Sequence, residues 1–125
     1  MKKEILTEED VNKIEKIISD RKLSHSYLIT NNSDVYKKFI LMEESTYSEG
    51  SLEKKVKELI AIGISIVINC ESCLEWHIHE ALKAQANKEQ ILEAIGVGIE
   101  MSGGPGTVSS RFAIKVLEYY LAKNK

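Results

Sequence analysis

The chain has 125 residues, a length that indicates one domain, residues 1–125, with a single hydrophobic core. Its 17 basic and 19 acidic side chains give a formal net charge of −2, which predicts no basic surface for nucleic acid. The start, MKKEILTEED, lacks the apolar core of a signal peptide. No apolar stretch approaches the roughly 18–20 residues that a membrane span needs. We therefore expect a cytoplasmic protein with no membrane or nucleic-acid partner.

Capping residues and helical spacing of the apolar residues divide the chain into helices. Thr7 with Asp10, and Asn87 with Gln90, have the spacing of a capping box, and Pro105 is the only proline. We predict six helices: from Thr7 as N-cap to about Arg21, Val35 to Met42, Leu52 to the end of the apolar run at Ile68, Cys70 to about Ala86, from Asn87 as N-cap to the break at Gly103–Gly106, and about Val108 to Ala122. The segment Leu23–Thr30 is predicted to be a connector, and Glu44–Ser51 a loop that ends at an N-cap, Ser51.

The third predicted helix contains the most apolar stretch of the chain, Leu59–Ile68. Because this run is apolar on every side, it predicts a helix buried in the middle of the domain or in an oligomer interface. The expected fold is all-α, a six-helix orthogonal or antiparallel bundle with short connections.

Both cysteines lie directly after this run, as Cys70 and Cys73, and His77 follows four residues later. On one helix, at about 100° per residue, the three side chains fall within about 60° of one another. With Asn69 as N-cap, Cys70 would occupy the first helical position, where free N–H groups and the helix dipole favour a thiolate. A close cysteine pair in a reducing compartment is more often catalytic or metal-binding than structural.

Glu58 stands at the leading edge of the apolar run, twelve residues before Cys70. On one straight helix the two would be about 18 Å apart. If the chain instead reverses near Asn69 into an antiparallel hairpin, His77 opposes a residue near Ala61, and Glu58 lies within one further turn. A contact between Glu58 and His77, direct or through a water, is then expected, and a carboxylate that orients an imidazole beside a thiol is the arrangement of an activated cysteine.

Other interpretations of these residues remain open at this point. The two thiols could be buried core residues, or Cys70, Cys73, His77 and Glu58 could be four ligands of a zinc ion. Structural zinc sites usually draw two ligand pairs from separate segments, and the chain has no second C-x-x-C and no H-x-x-x-H. We therefore predict no metal and no other cofactor.

The pattern E-x11-C-x2-C-x3-H, formed by Glu58, Cys70, Cys73 and His77, resembles the carboxymuconolactone decarboxylase superfamily, and within it the alkylhydroperoxidase-D-like branch. The resemblance covers roughly Tyr36 to Tyr120 and includes KEQILEAI and the glycine-rich break that follows it. It implies an all-α fold of the alkylhydroperoxidase-D-like type that assembles into homo-oligomers, trimers or hexamers.

By the same resemblance, Cys73 is the attacking thiol, Cys70 its disulfide partner, and Glu58 with His77 the proton relay. The implied substrate is a peroxide or a disulfide, and an unidentified dithiol reductant restores the pair. The best-known peroxidase members carry a further histidine directly before the second cysteine, where this chain has Ser72. The true decarboxylases of the superfamily lack the cysteine pair, so their activity does not follow from the resemblance.

Two alternatives belong to other classes of protein. One is a decarboxylase or isomerase of lactone rings that uses His77 and Glu58 as acid and base, with the thiols as spectators. The other is a non-catalytic oligomeric module that holds a metal or a buried thiol pair.

Overall fold

The computed structural model describes residues 4–124, which form six α-helices and no strand. The helices are α1 (Glu8–Thr30), α2 (Asp34–Tyr47), α3 (Lys54–Ile68), α4 (Glu71–Lys83), α5 (Lys88–Ser102) and α6 (Gly104–Lys123). The predicted all-α, six-helix class is confirmed. None of these helices is both long enough and apolar enough to cross a membrane.

The core lies between α3, α4, α5 and α6, with the first half of α1 closing one side. Its fully buried side chains are mostly aliphatic, and Ile62, Leu74, Ile78 and Ile91 are among the largest. Helix α3 packs most extensively of all, against both α5 and α4. This central helix therefore fixes the positions of its two neighbours relative to each other.

The close approach of α3 and α5 depends on glycine. A Cβ at Gly98 would lie 2.6 Å from the Cβ of Ile66 and 2.7 Å from the carbonyl oxygen of Gly63. Real Cβ atoms do not approach other atoms so closely, so only glycine allows this distance between the helix axes.

Helix α1 is longer than its sequence pattern predicts. The predicted connector Leu23–Thr30 is helical, and α1 ends only at the cap residue Asn31, whose backbone N–H bonds back to Ile29 and Tyr27. The segment contains no glycine or proline, and with no strand beside it only a helix satisfies its backbone groups. Its side chains add little to the core, since Leu23 and Tyr27 are exposed.

The second helix is also longer than its sequence pattern predicts. Helix α2 continues past Met42 to Tyr47, and the hydroxyl of Thr46 donates a hydrogen bond to the Met42 carbonyl. Nothing in these residues breaks a helix before Gly50. The extension matters for function because it carries Tyr47 to the side of His77.

Helix α3 begins two residues later than predicted, at Lys54, with Glu53 rather than Ser51 as its cap residue. The Glu53 side chain makes no capping hydrogen bond. The backbone N–H of Lys54 instead donates a hydrogen bond to the Glu49 carboxylate at 3.3 Å. Helix α4 ends at Lys83 rather than near Ala86, because Gln85 adopts a positive φ of 76°. Both capping boxes, at Thr7 and at Asn87, are present.

The last helix begins at Gly104, four residues before the predicted start. Pro105 lies in its first turn, where a proline needs no N–H partner, so the proline starts the helix rather than excluding it. The break itself is confined to Gly103, with φ 70° and ψ −142°.

Candidate active site

The turn between α3 and α4 presents the two cysteines. Asn69 has left-handed backbone angles, φ 54° and ψ 49°, and caps the end of α3 rather than the start of α4. The prediction of Asn69 as N-cap is therefore wrong, since asparagine favours both positions and the sequence does not separate them. Its side-chain oxygen accepts a hydrogen bond from the Ser109 hydroxyl of α6 at 3.0 Å, which fixes the turn to the core.

Cys70 itself is the N-cap of α4, and its sulfur accepts a hydrogen bond from the backbone N–H of Cys73 at 3.2 Å. The structure joins Cys70 and Cys73 in a disulfide with their Cα atoms 5.2 Å apart. Both residues are partly exposed. Cys70 is therefore not the first helical residue, as the sequence predicted, but lies one position earlier, still at the positive end of the helix dipole.

Glu58 and His77 are in direct contact. Glu58 lies on the buried side of α3 with 1% of its surface exposed, and its Oε1 is 2.7 Å from Nδ1 of His77 on α4. The antiparallel hairpin predicted from the sequence therefore produces this contact without an intervening water. If Nδ1 donates to the carboxylate, Nε2 of the neutral ring is the nitrogen that can accept a proton. His77 is four residues after Cys73, one turn along the same helix face.

The second oxygen of Glu58 has its own partner, which the sequence analysis missed. Lys54, one turn earlier on α3, donates to Glu58 Oε2 at 2.8 Å, and its Nζ is also 3.4 Å from Glu80 Oε1 on α4. The i, i+4 spacing of Lys54 and Glu58 is a signal that could have found this pair. The position of Glu80 could not be found in the same way, because it depends on how α4 packs on α3.

Tyr47 completes this side of the site. Its ring lies 5.2 Å from that of His77, and Nζ of Lys54 is 5.7 Å from the Tyr47 ring centroid. Burial and the neighbouring carboxylate of Glu58 raise the pKa of the Tyr47 phenol. The phenol is therefore protonated at neutral pH and can act only as a neutral hydrogen-bonding group.

A cavity of about 310 Å³ opens beside these residues. Its lining combines carboxylates with two aromatic rings and one ammonium group: Glu43, Glu44, Tyr47, Ser48, Lys54, Glu58, Trp76 and Glu80. Neither cysteine is among these lining residues. Within residues 4–124, no three His, Cys, Asp or Glu side chains converge as a metal would require.

The opposite face of α4 carries a second buried carboxylate that the sequence did not reveal. Glu75 is fully buried, and it accepts hydrogen bonds from Arg21 of α1 and from the Tyr120 hydroxyl of α6. The Arg21 guanidinium also lies 4.8 Å from the Trp76 ring. His79, also on α4, stacks on Tyr120 with ring centroids 4.1 Å apart. These contacts fix α4 between α1 and α6, and with it the cysteines and His77.

Comparison with known proteins places the chain among helical proteins of one family. The sequence model of the carboxymuconolactone decarboxylase family matches residues 33–115, which include all four candidate residues. An uncharacterized protein of Cupriavidus necator is 41% identical over 76 residues, 61% of this chain and 65% of the relative. The match thus spans just under two thirds of that protein. Uncharacterized protein 4 of the cox locus of Paracoccus denitrificans is 35% identical over 80 residues, 64% of this chain and 72% of the relative.

Solved structures agree with this assignment. The structure of an apo carboxymuconolactone decarboxylase family protein from Legionella pneumophila superposes with a TM-score of 0.82 at 27% identity, covering 87% of this chain and 97% of that one. A Thermotoga maritima protein superposes with a TM-score of 0.79 at 25% identity, covering 88% and 98%. A second structure of the Thermotoga protein is 24% identical to this chain and describes that protein as possibly involved in an antioxidative response. At this identity the similarity concerns the fold alone.

Proposed function

The chain belongs to the carboxymuconolactone decarboxylase family, and from this premise we propose that it is a thiol-dependent oxidoreductase. Cys70 and Cys73 are its redox pair, and Glu58 and His77 are its proton relay. The observation that carries the proposal is the 2.7 Å contact between buried Glu58 and His77, one helical turn from a cysteine pair at a helix N-terminus. The suggested antioxidative role of the Thermotoga protein is compatible with this chemistry.

The first step is the attack of Cys73 on a hydroperoxide. Nε2 of His77 accepts the thiol proton while Glu58 holds the ring through Nδ1. The thiolate sulfur forms a bond to one peroxide oxygen as the O–O bond breaks, and the departing alkoxide takes the proton from His77. The products are an alcohol and a sulfenic acid on Cys73.

The second step closes the disulfide. The Cys70 sulfur attacks the Cys73 sulfenic acid, the S–S bond forms as the S–O bond breaks, and water leaves. A dithiol reductant, which a reducing cytoplasm would supply, then exchanges with this disulfide and restores both thiols. With a disulfide substrate in place of a peroxide, the Cys73 thiolate attacks one substrate sulfur, and the other leaves as a thiol with the proton from His77. Cys70 then attacks the Cys73 sulfur of the mixed disulfide, which closes the Cys70–Cys73 bond and releases the first substrate sulfur as a thiol with the proton of Cys70.

The test compares four variants in two assays. Consumption of an organic hydroperoxide and of a small aromatic disulfide is measured with excess dithiol for Cys70→Ser, Cys73→Ser, His77→Ala and His25→Ala. His25 is a matched control because it lies on α1 and bonds only Tyr36 among the described residues. We expect both cysteine variants to lose turnover, His77→Ala to lose about 100-fold or more, and His25→Ala to match the parent.

Alkylation of the reduced protein gives a second readout. Peptide mass spectrometry measures the rate at Cys70 and Cys73 separately, and we expect Cys73 to react fast near neutral pH and to slow in His77→Ala. Turnover that persists in both cysteine variants would overturn the proposal. If those variants also kept activity on a lactone of an aromatic-acid pathway, the acid–base alternative, with spectator thiols, would replace it.

We further propose that the protein is a homo-oligomer, formed through the face shared by α3 and α5. The predicted all-round apolar helix is buried on one side only: Ile60, Ile64 and Val67 are exposed. With Val97 and Met101 of α5 they line an apolar groove of about 620 Å³, and Glu93 is the only charged residue that lines it within residues 4–124. A second copy carries the same largely apolar surface and is therefore complementary to it.

Sedimentation velocity tests the assembly. Ile64→Glu places a charge in the groove and should dissociate the oligomer, whereas Ser24→Glu, on an exposed part of α1, should not. The resemblance to the alkylhydroperoxidase-D-like branch implies a trimer or a hexamer. A parent protein that sediments as a monomer at micromolar concentration would contradict the proposal.

A further inference from the structure

Lys54 is the only ammonium group that touches the proton relay among the described residues. Its Nζ donates to the Glu58 oxygen that His77 does not use, at 2.8 Å, while Glu80 lies 3.4 Å from the same nitrogen. Lys54 thus lies between a carboxylate of its own helix and a carboxylate of α4. The Lys54 ammonium group therefore bridges the adjacent helices α3 and α4.

The need for this cation follows from the burial of Glu58. An ionised carboxylate with 1% of its surface exposed is costly unless it is hydrogen-bonded and paired with a positive charge. A neutral His77 provides a hydrogen bond but no charge. Without a cation, the cheapest way to compensate Glu58 is to bind a proton on His77, which removes the free acceptor nitrogen that the first step requires.

We propose that Lys54 is a positioning residue that neutralises and orients Glu58, so that the compensating positive charge does not have to come from His77. The inference rests on the proposed function and adds a residue to its site. Lys54 does not touch the sulfur atoms and acts only through Glu58. Glu80 acts one step further out, by holding the ammonium group in place.

The surroundings of Lys54 keep it charged. Burial opposes its charge, but the hydrogen bond to Glu58 and the charges of Glu58 and Glu80 outweigh this and raise the pKa of Lys54. Lys83 bonds the other oxygen of Glu80 at 3.0 Å. Tyr47, from α2, faces both Lys54 and His77 as a neutral phenol.

Two further carboxylates, Glu43 and Glu44 of α2, line the same cavity. Each adds negative charge on the side of Lys54, and so each increases the need for a cation there. With His77 neutral, the directly bonded groups Glu58, Lys54, Glu80 and Lys83 balance in charge. Removing Lys54 leaves them with an excess negative charge next to the imidazole.

The experiment follows the His77 ring by NMR titration in the oxidised protein, where the disulfide removes the thiols from the titration. Lys54→Met keeps most of the side-chain length without the charge, Lys54→Gln is a second neutral variant, and Lys54→Arg keeps the charge. Lys57→Met is the matched control, because Lys57 precedes Glu58 on α3 but bonds the Ser48 carbonyl. Circular dichroism and thermal melts confirm that each variant is folded.

We expect the titration midpoint of His77 to move upward by about half a pH unit or more in both neutral variants, because a nearby cation has been lost. Lys54→Arg and Lys57→Met should keep the parent midpoint. In the two neutral variants, the rising limb of the pH–rate profile for hydroperoxide consumption should move to higher pH by the same amount as the His77 midpoint. If the role of Lys54 were purely structural, the neutral variants would melt at a lower temperature. The titration midpoint of His77 and the midpoint of the rising limb of the pH–rate profile would then stay at their parent values.

The outcomes separate this inference from the proposed function. If His77→Ala and the cysteine variants abolish turnover while Lys54→Met leaves the midpoint and the profile unchanged, the inference about Lys54 is wrong and the redox function stands. If the cysteine variants remain active, the redox function is wrong. An upward shift of the His77 midpoint would then still assign Lys54 to the Glu58–His77 pair of an acid–base enzyme.

Discussion

Glu58 and His77 are 19 residues apart in the chain and 2.7 Å apart between Oε1 and Nδ1. The distance is set by the short turn at Asn69 and Cys70, which reverses the chain and brings α4 back along α3. The backbone N–H of Cys70 donates to the Ser65 carbonyl at 3.1 Å, which ties the start of α4 to the end of α3. The relay and the cysteine pair are thus positioned by one turn.

Glu58→Gln tests whether the relay needs a carboxylate rather than any hydrogen-bonding group. The amide has nearly the same shape but no charge to stabilise an imidazolium as the proton is transferred. We expect the rate of hydroperoxide consumption at neutral pH to fall about 100-fold. Glu53→Gln, at the exposed start of α3, is the matched control and should leave the rate unchanged. An equal rate in Glu58→Gln and the parent would exclude Glu58 from the reaction.

Arg21→Met tests the second buried carboxylate. The change removes the cation that pairs with fully buried Glu75 and leaves only the Tyr120 hydroxyl as partner. We expect the free energy of unfolding to fall by about 3 kcal/mol, since one partner of a buried ion pair is lost. Urea unfolding measures the change, and Lys13→Met, which removes an exposed ion pair with Glu71, should cost less than about 1 kcal/mol.

If Arg21→Met cost no more than this control, Glu75 would not depend on its charge partner. Where Arg21→Met does lower the free energy of unfolding, a combined Arg21→Met, Glu75→Gln variant extends the test. Removing the uncompensated charge should recover part of the lost stability, because a neutral amide is cheaper to bury than a carboxylate.

The pair of Asp10 and Lys115 predicts how stability responds to acid. The hydrogen bond from Lys115, together with the backbone N–H of Thr7, lowers the pKa of Asp10 from 3.8 to about 2. Because the folded pKa is the lower one, the unfolded state binds the proton first as the pH falls. The stabilisation is therefore complete above about pH 4 and is lost towards about pH 2.

Urea unfolding of Lys115→Met at several pH values checks this. The variant should be less stable than the parent near neutral pH, and the difference should shrink as the pH falls from about 4 to about 2. Lys16→Met, which removes an exposed ion pair with Asp20, should show almost no difference at any pH. A constant difference for Lys115→Met would attribute its effect to packing rather than to charge.

Gly98→Ala tests the close packing of α3 and α5. The added Cβ would lie 2.6 Å from Cβ of Ile66, so the helices must separate, and we expect a loss of about 1–3 kcal/mol in the free energy of unfolding. Gly96→Ala is the matched control two residues earlier on α5. Its Cβ would meet nothing within 4 Å, and the change should stabilise the helix by about 0.5–1 kcal/mol. Equal effects of the two changes would contradict the packing argument.

The candidate site was predictable to the extent that helical geometry alone relates its residues. Cys73 and His77 lie one turn apart on one helix and Cys70 caps its start, so their spacing already places them close together. Glu58 required one assumption, a reversal of the chain at Asn69, and the hairpin then brought it to His77. The catalytic roles of these four residues remain predictions.

Lys54 and Tyr47 were missed for a different reason. Lys54 stands four residues before Glu58, but Lys55 stands three residues before it, and on a helix both spacings bring a lysine beside the carboxylate. Tyr47 lay in a predicted loop, because the polar residues around it hide the continuation of α2. Their partners are set by the packing of α2 and α4 on α3, which no local pattern encodes.

The sequence by itself determined six helices, the capping boxes that start α1 and α5, and the closeness of the thiols to His77, because capping, apolar spacing and helix geometry act within a few residues. Only the tertiary structure decided where Asn69 belongs, how far α1 and α2 extend, and which carboxylates are buried. Those outcomes depend on contacts between residues distant in the chain, such as Glu75 with Arg21 and Tyr120. A buried charge is stable only where hydrogen-bonding or oppositely charged groups contact it, and the packing of the helices decides which groups do so.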